Sequence, residues 1–250
     1  MTRAAAFRLA LVAAAIVLLE LLCRTGLIDR LTMQPPSEMV RDLVALLASG
    51  RMNGAMLKTL VNVAAAAMLA VAAGVVFGVG IHRYRAVRQG LEPLFATYYA
   101  IPVYAFYPML IILFGLGDVP QILIGFMLSV VAVIVNTLSG LDRVSPVLLK
   151  TARVYRLGPI ATARKITLPS AAPYLLTGVR LAVAYAFIGV IGAEFIMSQT
   201  GIGYEISFAY NNFDNKVMYP LILLILVVSV AINASLSRWE KVLLQRRSRS

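Results

Sequence analysis

Six apolar runs, each long enough to cross a bilayer as a helix, leave this chain few alternatives. Crossing roughly 30 Å of hydrocarbon at about 1.5 Å per residue takes about 20 residues. Runs of that order lie between charge clusters at Ala5 to Leu22, Met56 to Ile81, Leu94 to Phe114, Val119 to Leu138, Pro173 to Met197 and Val217 to Leu236. Inside hydrocarbon every backbone N–H and C=O needs an internal partner, so segments of this length are helices. The expected fold class is all-α integral membrane with six transmembrane helices. A single domain over 1–250 is expected, because no repeat, low-complexity tract or Gly/Ser linker divides the chain. Composition agrees: 60% of the residues are hydrophobic and 14% charged, which is outside the range of a water-soluble core.

A net charge of +12 in such a chain is first a topology signal and an attraction to anionic membrane lipid, with no nucleic-acid partner implied. Sixteen basic residues fall on one side: Arg3 and Arg8, then Arg83, Arg85 and Arg88, then Arg143, Lys150, Arg153, Arg156, Arg164 and Lys165, then Arg238, Lys241, Arg246, Arg247 and Arg249. Five fall on the other: Arg24, Arg30, Arg41, Arg51 and Lys216. Because cytoplasmic loops retain Lys and Arg, both termini are expected in the cytoplasm, in an inner membrane of bacterial type. Arg3 and Arg8 before an apolar run also describe a signal peptide, but no small-residue cleavage site precedes Arg24, so the first run is expected to stay as a span.

Several chemistries are excluded early. One Cys and one His leave no material for a disulfide framework, a Cys-built zinc or iron–sulfur site or a multi-His metal centre, so no metal is expected. The chain contains no Gly-Lys dipeptide and therefore no GxxxxGK[ST] phosphate loop; it is not expected to be an ATPase.

Between the runs, Pro35-Pro36-Ser37 followed by Met39, Leu43, Leu46 and Leu47 at helical spacing predicts a short helix from Ser37 to Ser49, lying along the outer interface. In the second run Gly74 and Gly78 form a GxxxG pair, which predicts close helix packing. The third run concentrates Phe95, Tyr98, Tyr99, Tyr104, Phe106 and Tyr107 and is interrupted by Pro102 and Pro108. Proline frees a carbonyl in a membrane helix, and a phenol in hydrocarbon needs a partner. Two readings fit: the tyrosines face a polar pathway, or they bond within the bundle and pack. The fifth run holds two charges, Arg180 and Glu194, on one helical face about four turns apart. They either anchor the span at opposite interfaces or line a pathway.

The segment from Ser145 to Pro169 is larger than a connection between neighbouring helices needs. Leu148, Ala152 and Tyr155 recur at i, i+4, i+7 while Lys150, Arg153 and Arg156 recur every three, an amphipathic helix with a basic face. Gly158-Pro159 predicts its end, and a second short helix is expected from Ile160 to Thr167, stopping at Leu168-Pro169.

Here the sequence becomes recognisable. Lys150-Thr151-Ala152-Arg153, Ile166-Thr167-Leu168-Pro169, Ala171-Ala172-Pro173 and Gly178-Val179-Arg180 resemble the EAA signature of ABC importer permeases. That signature reads Glu-Ala-Ala, three residues, Gly, nine residues, Ile, any residue, Leu-Pro. Aligned on Leu168-Pro169, its Ile falls on Ile166; its Glu is replaced by Lys150 and its Gly by Arg156. Pro35-Pro36-Ser37-Glu38, Gly78-Val79-Gly80, Pro102 to Gly117, Asn136-Thr137, Gly140-Leu141, Ala193-Glu194 and Gly201-Ile202-Gly203-Tyr204 extend the likeness toward the subfamily importing sulfonates, taurine and nitrate.

The resemblance implies a type I importer permease, paired as a homodimer around a translocation pathway, with coupling helices between spans four and five. Lys150, Thr151, Ala152, Arg153, Arg156, Leu157, Gly158, Ile166, Leu168 and Pro169 are then the residues that meet cytoplasmic ABC ATPase subunits. No cofactor is expected on this chain; ATP and Mg belong to the ATPase. An extracytoplasmic solute-binding protein delivers the solute. Pathway candidates are Tyr98, Tyr99, Tyr104, Asn136, Arg180 and Glu194. The alternative is an autonomous secondary transporter, whose sign is an intramembrane acid for proton coupling.

Overall fold

The computed structural model describes residues 3–29 and 32–247, with side chains described except at 3–5, 9 and 241–247. Arg30 and Arg249 of the charge count, and the side chains of Arg3, Lys241, Arg246 and Arg247, therefore lie outside the described residues. Every regular element among the described residues is helical. In chain order these are α1 (Arg3–Arg24), α2 (Pro36–Ala48), α3 (Asn53–Arg83), α4 (Arg85–Thr97), α5 (Tyr107–Phe114), α6 (Asp118–Asp142), α7 (Pro146–Val154), α8 (Pro159–Thr162), α9 (Leu168–Ile196), α10 (Ile202–Asn211) and α11 (Asn215–Arg247). Among the described residues five helices are long and apolar enough to cross a membrane, and a bent pair makes the sixth when taken as one span.

The bundle is built around α6, packed by α3 on one side and α9 on another. Small residues permit the approach, as the GxxxG pair predicts. A Cβ placed on Gly78 would lie 2.7 Å from Cβ of Thr137, and one on Gly189 would lie 2.6 Å from Cα of Gly125. Ser129 closes the α6–α9 contact by donating to the carbonyls of Gly125 at 2.6 Å and Ala182 at 3.0 Å. Around this waist Val63, Ala66 and Ala67 of α3 meet Ala186, Phe187 and Val190 of α9. The short helix predicted from Ser37 is α2, opened by Pro36 at its first turn; it buries Met39 and Leu43, the latter against Ile206, Leu221 and Leu224. By contrast α1 is nearly bare: only 6% of its apolar window is buried within the chain.

Two expectations are corrected. The third run is not one straight helix from Leu94 to Phe114. Helical structure already begins at Arg85, and the two halves, Arg85–Ala100 and Val103–Phe114, meet at 86°. Pro102 donates no N–H, and the residue before a proline is pushed out of the α region, as Ile101 is with φ −76° and ψ 124°. Second, the stretch after Gly158 does not stop at Leu168-Pro169. Helix runs without interruption from Pro159 to Ile196, through a π-helical turn at Ala163–Thr167. The N–H of Leu168 reaches back to Ala163, and Pro169, which has no N–H to lose, sits where the register changes, so the proline is absorbed.

The close approach predicts opposite signs for two neighbouring glycines. Gly78→Ala should lower the unfolding midpoint of the purified protein in detergent by the equivalent of about 1–3 kcal/mol through overpacking. Gly80→Ala, whose Cβ meets nothing within 4 Å, should leave it unchanged or raise it by up to about 1 kcal/mol.

Candidate functional site

The segment from 145 to 169 joins α6 to α9, and from Pro159 onward it belongs to the helix that runs on to Ile196. Helix α7 starts with Pro146 at its first turn and ends in a Schellman turn. The N–H of Leu157 donates to the carbonyl of Ala152 at 2.9 Å and that of Arg156 to Arg153 at 3.0 Å, while Arg156 takes φ +50°. Within this segment Lys150, Thr151, Arg153, Arg156 and Gly158 are exposed, Leu157, Ile166 and Pro169 are half-buried, and Leu168 is exposed. Ala152 is buried inside the chain. Its methyl therefore belongs to the permanent core of the segment and offers no surface, against the sequence expectation. The most exposed apolar side chains of the segment are Val154, Tyr155 and Ile160, at 79%, 74% and 84% exposure, with Val147, Leu148 and Leu168 also exposed. Val154 and Ile160 fall outside the i, i+4, i+7 set because α7 ends in the left-handed turn at Arg156 between them.

A cavity of about 400 Å³ opens between the first half of the broken span, α6 and α9. Its walls include Arg88, Glu92, Phe95, Tyr99, Asn136, Ser139 and Tyr185. Of the pathway candidates read from the sequence, Tyr99 and Asn136 line it. Tyr99 stacks at a tilt on Tyr185, ring centroids 5.5 Å apart, and meets Tyr98 edge-on at 5.7 Å. Asn136 donates to the carbonyl of Ala132 at 2.8 Å. Three tyrosine hydroxyls bond backbone instead: Tyr98 to Met127 at 2.8 Å, Tyr104 to Ile188 at 2.8 Å and Tyr107 to Met197 at 2.7 Å. These bonds fasten the broken span to α6 and α9. The sequence reading placed Arg88 in a connection and passed over Glu92 and Tyr185. The spacing 88, 92, 95, 99 is one helical face and was the available signal.

The two intramembrane charges do not share a role. Arg180 turns to α11, donating to Oδ1 of Asn233 at 2.8 Å and lying 3.7 Å from Glu240. Glu194 turns to α3 and α10 and is fully enclosed. Its oxygens accept from Thr59 Oγ1 at 2.9 Å and from the N–H of Gly203 at 3.0 Å. Thr59 Oγ1 in turn accepts from the N–H of Ile202 at 2.9 Å. A carboxylate and a hydroxyl thus satisfy the first free N–H groups of α10, where the helix dipole favours negative charge. The carboxylate occupies the space a side chain at Gly201, with φ +106°, would fill. Beside this clamp Asn62 donates to Asp118 and Gln121 at 3.1 and 3.0 Å, and Lys58 pairs with Asp118 at 3.2 Å.

A family model described as the binding-protein-dependent transport system inner membrane component matches residues 66–249. The chain belongs to that family. It is a permease subunit of an ABC importer. Curated relatives include a probable ABC transporter permease protein of Brucella abortus, 26% identical over 86% of this chain and 86% of that one. The nitrate import permease protein NrtB of Leptolyngbya laminosa is 27% identical over 68% of this chain and 59% of its own. The taurine transport system permease protein TauC of Escherichia coli is 26% identical, covering 86% and 80%. Among solved structures, one of the MetNI methionine ABC transporter in inward-facing conformations shares the fold with TM-score 0.62 at 16% identity, covering 75% of this chain and 94% of that chain.

Membership gives the permease's departure at Arg156 a physical meaning. The signature that the sequence resembles would carry Gly at this position, and the structure shows a left-handed residue there that closes α7. A non-glycine residue in that conformation costs roughly 1–2 kcal/mol. Arg156→Gly should therefore raise the unfolding midpoint of the permease by the equivalent of about 1 kcal/mol. Glu194→Ala should lower it, because Thr59 and Gly203 would lose a buried acceptor at about 1–3 kcal/mol per unsatisfied group. Both are read by thermal unfolding in detergent.

Proposed function

We propose that two copies of this permease pair so that their α4–α6–α9 cavities face one another and form the translocation pathway, and that the segment from 146 to 168 is the coupling element for cytoplasmic ATPase subunits. The observation that carries the second part is that Val154, Tyr155 and Ile160 are the most exposed apolar side chains of this basic segment. Lipid does not cover apolar side chains at a water-facing turn, whereas a groove on a protein partner does. Lys150, Arg153, Arg156 and Arg164 are exposed on the same segment and steer an acidic rim. ATP and Mg reside on the partner, consistent with the missing phosphate loop, and this chain holds no cofactor of its own. An extracytoplasmic binding protein hands over a small solute at the α10 end.

The same reading puts both termini in the cytoplasm of a bacterial-type inner membrane, with basic ends against anionic lipid. A secondary transporter that used Glu194 for proton coupling would need that acid open to proton exchange. Glu194 is instead committed to the α10 clamp.

Because Ala152 packs inward, an aspartate there would damage the segment itself, and the informative variants are Tyr155→Asp and Ile160→Asp. Each should release most of the ATPase on co-purification, since each would bury a carboxylate against an apolar groove. Lys150→Ala should do little, an exposed ion pair being worth about 0–1 kcal/mol. Full retention of the ATPase in both aspartate variants would remove this segment as the docking element. For topology, a reporter active only outside the cytoplasm should be silent when fused after Ser250, a position outside the described residues, and active near Asp118; the opposite pattern would invert the orientation.

A further inference from the structure

The cavity between α4, α6 and α9 carries a charge pattern that the family assignment does not supply. Arg88 lies at one end of it, with its two terminal nitrogens bonded to the two oxygens of Asp142, each at 2.6 Å. His82 also lies 3.3 Å from Asp142, so the guanidinium is matched and held against the wall. One turn further along the same face is Glu92, which forms no hydrogen bond or ion pair among the described residues. Arg88 thus faces two carboxylates, bonding Asp142 and attracted at longer range by Glu92, which leaves the wall one negative charge in excess at the exposed Glu92. Beyond it the wall is aromatic, with Phe95 and the tilted pair Tyr99 and Tyr185. Aromatic faces are negative and attract cations.

Resting on the pathway reading above, we propose that the solute admitted between α4, α6 and α9 is an organic cation with a flat, weakly polar body, and that Glu92 selects for it and against anions. The ring faces of Tyr99 and Tyr185 take the flat body, and Glu92 takes the positive charge. An anion, such as the nitrate in the name of the relative NrtB, meets a like charge at Glu92 and finds the one cation of the wall already paired.

The cavity's potential is measured with the assembled complex of permease and ATPase in lipid. Cys23, buried and the one native cysteine, is replaced by Ala and a thiol is introduced as Val135→Cys, with Ser139→Cys as a second position where the first fails to assemble. The thiol is modified with a cationic and an anionic methanethiosulfonate reagent, each rate divided by that of the same reagent on free mercaptoethanol. The cationic reagent should react at least 10-fold faster than the anionic one, and Glu92→Gln should reduce that ratio to near unity. Reaction of both reagents without a preference, or a preference that survives Glu92→Gln, overturns the proposal while leaving an aqueous pathway in place. No reaction of either reagent at both positions overturns the pathway reading and the proposal with it.

Discussion

The close approach of α3 and α9 to α6 is the interaction on which the rest of this permease depends. In hydrocarbon there is no hydrophobic drive to bring helices together, so association rests on surface fit and on hydrogen bonds between helices. Gly78 against Thr137 and Gly189 against Gly125 bring backbones close enough for dispersion contacts to accumulate and for Ser129 to bond across to Ala182. Elements outside this waist are attached by fewer, more polar links. The broken span is held by tyrosine hydroxyls on backbone carbonyls, and α10 by the Glu194 and Thr59 clamp.

The continuity of helix from Pro159 to Ile196 gives the permease a mechanical axis. One end carries Ile160 on the exposed surface, the middle carries Tyr185 in the cavity, and the far end carries Glu194 beneath α10. An α-helix of this length resists compression along its axis because each turn is hydrogen-bonded to the next. The exposed end, the cavity and the α10 clamp are thus joined by one helix, with a π-helical turn at Ala163–Thr167. Had Leu168-Pro169 broken the helix, no single element would join them.

Much of this was legible in the chain. The length of the apolar runs placed the spans, because backbone polar groups in lipid allow no other structure. Gly74 and Gly78 announced close packing through their spacing alone. Pro102 announced a weak point in the third run but not the 86° bend, whose size depends on where Tyr98, Tyr104 and Tyr107 find carbonyls on other helices. Ala152 was misjudged because helical periodicity says which residues share a face and not whether that face looks inward or outward. Arg88 was misplaced for a related reason: an Arg at the edge of an apolar run reads as a loop until a partner such as Asp142, distant in sequence, is seen to receive it.

The sequence by itself determined the material class, the number and order of apolar segments, the family likeness carried by the segment from 150 to 180, and the chemistries ruled out by one Cys, one His and no Gly-Lys pair. These follow from local rules: length against bilayer thickness, periodicity and the backbone limits of Gly and Pro. Only the tertiary structure decided which charges are matched. Glu194 and Glu92 are both lone carboxylates in the sequence, yet one is enclosed and bonded to Thr59 and Gly203 and the other stands exposed on a cavity wall. The difference arises because the partners that satisfy a carboxylate come from segments up to 135 residues away, and no local rule brings those segments together.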